Sequence, residues 1–134
     1  MRTFAATLLM LCSVIVGPGA QQDVRVLATA KTSTMEKEMN DAAEAGFRFA
    51  GVMGGDTAFG GSEVVVIMTR TSNQPHVQYK LLATGKTSTI SKTSTMEKEL
   101  RDSTAAGYEF VGMTVGKTLI GGEEIVSILR RNAE

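Results

Sequence analysis

The sequence predicts an α+β protein built from two tandem βαββ units, each a split βαβ arrangement with one helix on an antiparallel sheet. Three observations carry that prediction. The segment Lys31-Thr32-Ser33-Thr34-Met35-Glu36-Lys37-Glu38 recurs unchanged as Lys92-Thr93-Ser94-Thr95-Met96-Glu97-Lys98-Glu99, and the match runs on at the same offset. Gly46 falls over Gly107, Phe49 over Phe110, Gly51 over Gly112, Gly60-Gly61 over Gly121-Gly122, Glu63 over Glu124 and Arg70 over Arg131. Each copy then shows the same alternation of strand-like and helix-like periodicity. Finally, the last apolar run of the first copy, Val64-Val65-Val66-Ile67-Met68, has no polar face, as expected of a central strand covered on both sides.

The elements follow in order. Val24 to Thr29 and Val77 to Thr84 alternate in side-chain character and read as strands. The helices start near Ser33 and Ser94, where Ser33 with Glu36 and Ser94 with Glu97 have the spacing of a capping box. Met35, Met39 and Ala42 form one helical stripe, matched by Met96, Leu100 and Ser103. Gly46 and Gly107 stand where a left-handed residue closes a helix. Phe47 to Met53 and Tyr108 to Val115 place aromatics at alternate positions and read as second strands. Glycine-containing connections, 54–61 and 116–122, lead to third strands at Glu63 to Thr69 and Glu124 to Arg130. Leu27-Ala28-Thr29 matches Leu82-Ala83-Thr84 at an offset six residues smaller, because the hexapeptide Lys86-Thr87-Ser88-Thr89-Ile90-Ser91 is additional in the second copy. An insertion of that kind belongs in a loop.

The third strand is expected between the first and second, antiparallel to both. One face of it meets the helix; the other copy is the natural cover for the opposite face. A unit of this size is marginal alone, so the copies are expected to pack as a pseudo-twofold pair in one compact domain, 21–74 with 75–134.

Residues 1–20 differ from the rest. Arg2 precedes an apolar run from Phe4 to Val16, and Gly17-Pro18-Gly19-Ala20 breaks it. This is the order of a secretory signal peptide, cleaved after Ala20 or Gly19. The run is shorter than the roughly 20 residues that span a bilayer, so no stable membrane insertion is expected once it is removed. A buried N-terminal strand or helix is the alternative. The one cysteine, Cys12, lies inside this run. A cleaved chain would hold neither disulfide nor thiolate site, and would be secreted or periplasmic. Basic and acidic residues balance at 14 each, with no long run of one sign, which argues against a nucleic-acid partner.

Ala45-Gly46-Phe47-Arg48-Phe49 and Ala106-Gly107-Tyr108-Glu109-Phe110-Val111, each behind a short polar helix, resemble the Gly-aromatic-Glu-hydrophobic-Val signature of domain-of-unknown-function family 4177. Ile128-Leu129-Arg130-Arg131 is similar to that family's closing strand. The resemblance implies a small bacterial α+β domain and no activity. The chain departs from the signature in lacking tryptophan after the glycine, and in carrying two copies.

Chemical motifs are few. Gly116-Lys117-Thr118 and Gly85-Lys86-Thr87 lack the earlier glycine of a phosphate loop, with Val111 and Lys80 in its place. His76 is the one histidine and sits in the linker beside Pro75. The methionines suit core filling better than copper. Glu63 and Glu124, each beside a Gly-Gly pair, would form paired carboxylates under twofold symmetry. With Gly60, Gly61, Gly121 and Gly122 they define a possible ligand groove. No cofactor or metal is expected. The expected function is a non-enzymatic exported module that binds a small ligand or a protein. A structural subunit pairing by its sheet edges is the alternative, and a small hydrolase using Glu63, Glu124 or His76 is the least favoured.

Overall fold

The computed structural model describes residues 22–56, 62–86, 91–117 and 123–134. The N-terminal segment read as a signal peptide lies outside them. The elements run β1 (Asp23–Thr29), α1 (Thr32–Glu44), β2 (Arg48–Asp56), β3 (Ser62–Arg70), β4 (Val77–Lys86), α2 (Ser91–Ala105), β5 (Glu109–Lys117) and β6 (Glu123–Asn132). They form two three-stranded antiparallel sheets, β1-β3-β2 and β4-β6-β5. Each third strand is central, as the apolar runs imply.

The registers correspond position by position. Val24 pairs with Thr69 and Val26 with Ile67 in the first sheet; Tyr79 pairs with Arg130 and Leu81 with Ile128 in the second. β2 has a bulge between Phe49 and Gly51, and β5 has one between Phe110 and Gly112. The extra residue lets Phe49 and Val52 share a face, three positions apart rather than two.

Both helices end as their glycines suggest. Gly46 and Gly107 have φ of 86° and 87°. The Gly46 amide donates to Ala43 (2.9 Å) and the Phe47 amide to Ala42 (3.0 Å), with the same pair of bonds at Gly107 and Tyr108. That is the Schellman closure. It turns the next residue, an aromatic, back over its own sheet. There the Phe47 ring is met by the guanidinium groups of Arg25 and Arg70, 4.5 and 4.8 Å from the ring centre. Tyr108 is met by Lys80 and Arg131, 5.5 and 4.8 Å from its ring centre.

The helix starts differ from the capping-box reading. α1 begins at Thr32, two residues earlier than a Ser33 cap would set it, with Lys31 as its N-cap and no side-chain cap bond. Ser33 therefore lies inside the first turn, and Glu36 is released for a tertiary contact. α2 begins at Ser91, so Ser94 is inside it as well. The additional hexapeptide straddles the β4–α2 connection: Lys86 ends the strand, Ser91 starts the helix, and 87–90 lie outside the described residues.

The packing of the two sheets also differs from expectation. Each sheet has a helix side and an outer side. Leu27, Val64, Val66, Met68, Phe49 and Val52 share the helix side of the first sheet by register. The outer side of the second sheet, carrying Tyr79, Leu81, Val126 and Ile128, packs on that helix side and on α1 in one continuous core. The layers close tightly at glycines. A Cβ on Gly112 would stand 2.9 Å from Phe49 Cζ, and one on Gly54 would collide with the Val115 carbonyl. Unlike surfaces thus meet, whereas a twofold pair would bring like surfaces together. One consequence is that the outer side of the first sheet is not covered by the second copy. Ile67, expected to be enclosed, is 43% exposed.

Candidate functional site

The site anticipated from the Gly-Gly pairs does not assemble as a carboxylate pair. Gly60, Gly61, Gly121 and Gly122 lie outside the described residues. Glu63 and Glu124 occupy matching register positions on the outer sides of the two sheets, opposite Gly55 and Gly116. One outer side faces solvent and the other faces the core. Glu63 is accordingly exposed, while Glu124 is half-buried and accepts a hydrogen bond from the Thr32 hydroxyl at 2.6 Å. The cavity beside Glu124, between Met35, Val64, Leu81 and Val126, measures about 10 Å³. That is room for about one water molecule, not for a ligand.

Two larger recesses exist among the described residues. One, of about 150 Å³, lies between the ends of the sheets and is lined by Gly54, Gly55, Asp56, Ser62, Val115, Gly116 and Glu123. It is the counterpart of the expected groove, but is too small for most metabolites, whose pockets start near 300 Å³. The other, of about 470 Å³, lies at the linker and includes His76, Gln74, Asn73, Arg70 and Asp23. Its walls are exposed polar side chains and lack the apolar lining of ligand pockets. Arg70 is engaged there by Asp23 at 2.5 Å, and His76 contributes its carbonyl to Ala133. No group of three or more metal-ligating side chains occurs among the described residues. Gly85, Lys86, Gly116 and Lys117 all lie in strands, so neither Gly-Lys pair forms a phosphate-binding turn.

The charged side chains mostly serve the fold. Lys37 and Lys98 hold Asp41 and Asp102 one helical turn away, and those carboxylates raise both ammonium pKa values above the ordinary range. Tyr79 is different. Its hydroxyl accepts from the Phe49 amide at 2.7 Å, beneath the second sheet, and burial pushes its phenol pKa up. It ties the two layers together with no access for substrate, being 2% exposed.

The conspicuous surface is apolar. Val24, Val26 and Met53, with Ile67, are 59%, 61%, 70% and 43% exposed, and share the outer side of the first sheet. Gly51 lies among them with nothing within 4 Å of where a Cβ would be. A second apolar area is formed by Phe110, Met113 and Val115, 44–46% exposed on the helix side of the second sheet. Sequence reasoning passed over both. The signal was present in Val24 and Val26 alternating with Arg25, and in the two-faced apolar run of β3, whose second face is the one expected to meet the other copy. No helix among the described residues is long and apolar enough to cross a membrane.

No protein-family model, curated protein or solved structure matches the chain significantly.

Proposed function

We propose that this is a non-enzymatic protein-binding module, and that the outer side of the first sheet is its binding surface. The carrying observation is that Val24, Val26, Met53 and Ile67 expose contiguous apolar surface on a rigid sheet. Surfaces of that kind mark interaction sites when they form a patch rather than scattered residues. The polar, open recesses support small-ligand binding less well, and the separation of Glu63 from Glu124 leaves the hydrolase reading without its paired acids.

Export belongs to the same reading and rests on the pattern of residues 1–20. So does descent of the two βαββ units, 21–74 and 75–134, from one duplicated ancestor, supported by their shared octapeptide, register and bulges. Kinship with family 4177 is part of the proposal and is carried by the Gly-aromatic segments and by the ending Ile128-Leu129-Arg130-Arg131. The heterologous contacts favour stacked copies over the pseudo-twofold pair.

An assembly subunit is the second reading, and a specific observation favours it. The edge of β4 is covered by α1, whose Asn40 side chain bonds both the amide and the carbonyl of Tyr79, while Glu36 accepts from the Leu81 amide. β1 is the edge strand at the matching place of the first sheet, with Val24 and Val26 in the register positions of Tyr79 and Leu81. An uncovered edge invites pairing.

A photo-cross-linking amino acid at position 67 of the full chain tests the proposal in the producing cell. A discrete cross-linked protein, absent when Val26 is replaced by Lys, is the expected outcome. Absence of any cross-link would remove the binding-surface reading.

A further inference from the structure

We infer that the chain binds further copies of itself head to tail: the outer side of the first sheet of one molecule seats on α2 and β5 of the next. The inference rests on the binding-surface reading above and names the partner. Its basis is that the two exposed apolar areas correspond, residue for residue, to the two halves of an interface that the molecule already contains.

Within the chain, the seated surface is the outer side of the second sheet. Tyr79, Leu81 and Ile128 there are 2%, 9% and 0% exposed. Their matches in register are Val24, Val26 and Ile67, the exposed residues of the first sheet. The receiving surface within the chain is α1 with Phe49 and Val52. Its matches are α2 with Phe110 and Met113, both 46% exposed. Each molecule therefore presents an unfilled plug and an unfilled socket of one design.

The finer features agree. Gly112 is the notch over which Phe49 sits, a Cβ there falling 2.9 Å from the ring. Gly51 is the same notch on the outer side, and it is empty. Phe110 of a second molecule is the ring that would occupy it. Polar partners are retained too. Glu36 accepts from the Leu81 amide, and the identical Glu97, held by Arg101 on the exposed surface, would exchange that partner for the Val26 amide of a neighbour. Thr32 donates to Glu124, and Thr93 with Glu63 is the equivalent pair, both exposed.

Several matched positions differ in residue, and three of the differences weaken the contact between molecules. Val24 stands for Tyr79 and lacks the hydroxyl that accepts from the Phe49 amide. Arg101 replaces Asn40, so of the two hydrogen bonds to the strand edge the one that needs a side-chain acceptor is lost. Val115 replaces Gly54, where within the chain an added Cβ would collide with the Val115 carbonyl and stand 2.7 Å from the Thr114 hydroxyl. A side chain there holds the neighbouring layer further away. Because plug and socket are different surfaces, association does not stop at two; it closes into a ring or continues as a filament.

Sedimentation velocity of the full chain over a wide dilution series tests this. The wild type should form species heavier than a dimer as concentration rises. Ile67→Lys blocks the plug and Met113→Lys blocks the socket; both sites are exposed, and circular dichroism checks that each variant folds. Each alone should remain monomeric, whereas their mixture should give a one-to-one dimer and nothing larger. Val26→Lys should behave as Ile67→Lys does. Arg101→Asn, restoring the edge acceptor, should lower the assembly concentration about tenfold, the effect of roughly one recovered hydrogen bond.

A wild type that stops at a dimer, or a mixture that stays monomeric, overturns the inference. So does a cross-link from position 67 to the chain's own first twenty-one residues. A monomeric wild type whose position 67 still captures a different protein overturns self-association and leaves the binding-surface reading standing. A monomer that captures nothing overturns both.

Discussion

α1 and α2 share the run Thr32 to Glu38, identical to Thr93 to Glu99, yet they live in different environments. α1 is pressed between its own sheet and β4, with Met35, Met39, Ala42 and Ala43 at 0–1% exposure. α2 lies on one sheet only; Met96 and Leu100 are half-buried, and among its described side chains Ser103 alone is enclosed. The same glutamate acts differently in the two. Glu36 caps a strand edge in the neighbouring unit, whereas Glu97 holds Arg101 on its own exposed surface. Local sequence sets the helix. What lies across from it decides whether a residue is core, cap or solvated charge.

The sharpest test of that difference is a pair of truncations at matching positions. Met39→Ala should cost about 2–5 kcal/mol, as methionine deletions in closed cores do. Leu100→Ala should cost roughly 1 kcal/mol, since part of that side chain already meets water. Urea midpoints of the two variants check it, and equal losses would mean α2 is as deeply packed as α1.

The glycines give the next contrast. Gly54→Ala pushes a methyl group into the Val115 carbonyl and should destabilise by about 1–3 kcal/mol or more. Gly55→Ala, one residue on, meets open space and should change stability by no more than about 0.5 kcal/mol. Thermal unfolding of both reports whether the layers touch where described.

A smaller contrast concerns the strand edges. Asn40→Ala strips bonds from the Tyr79 amide and carbonyl and should cost about 1–3 kcal/mol. Arg101→Ala removes an exposed pair with Glu97 and should stay within about 0.5 kcal/mol. A double-mutant comparison by denaturant unfolding checks the pair.

The smallest effect is a pH dependence confined to the seated face. Burial holds the folded-state pKa of Tyr79 above its unfolded value near 10. The resulting stability is present below pH 10 and is lost as pH rises from there through the folded pKa. Tyr79→Phe should flatten that alkaline decline, although it also leaves the Phe49 amide without its acceptor. Val24, at the matching place on the outer face, brings no titration.

Much of this was legible in the sequence because it is local. The glycine closures at 46 and 107, the Met35-Met39-Ala42 stripe and the central placement of β3 all follow from periodicity and backbone chemistry. The capping boxes were misread for a reason that is not local. Glu36 had two possible partners, the amide of its own helix start and the amide of Leu81, and the second is visible only once the units are stacked. Likewise nothing in a repeat tells whether its copies meet by like or by unlike surfaces. Glu63 and Glu124 were paired on the assumption of symmetry, and stacking sets one outside and one inside.

The span of six residues between β3 and β4, 71–76, carries a consequence of its own. It tethers the second sheet to the first at an effective concentration in the millimolar range, as short linkers do. An interface too weak to hold two separate molecules at cellular levels is therefore always formed inside one. Opening the tether by proteolysis would turn a permanent internal contact into one governed by mass action. The halves would then stay together only as far as their surfaces, without the connecting chain, hold them.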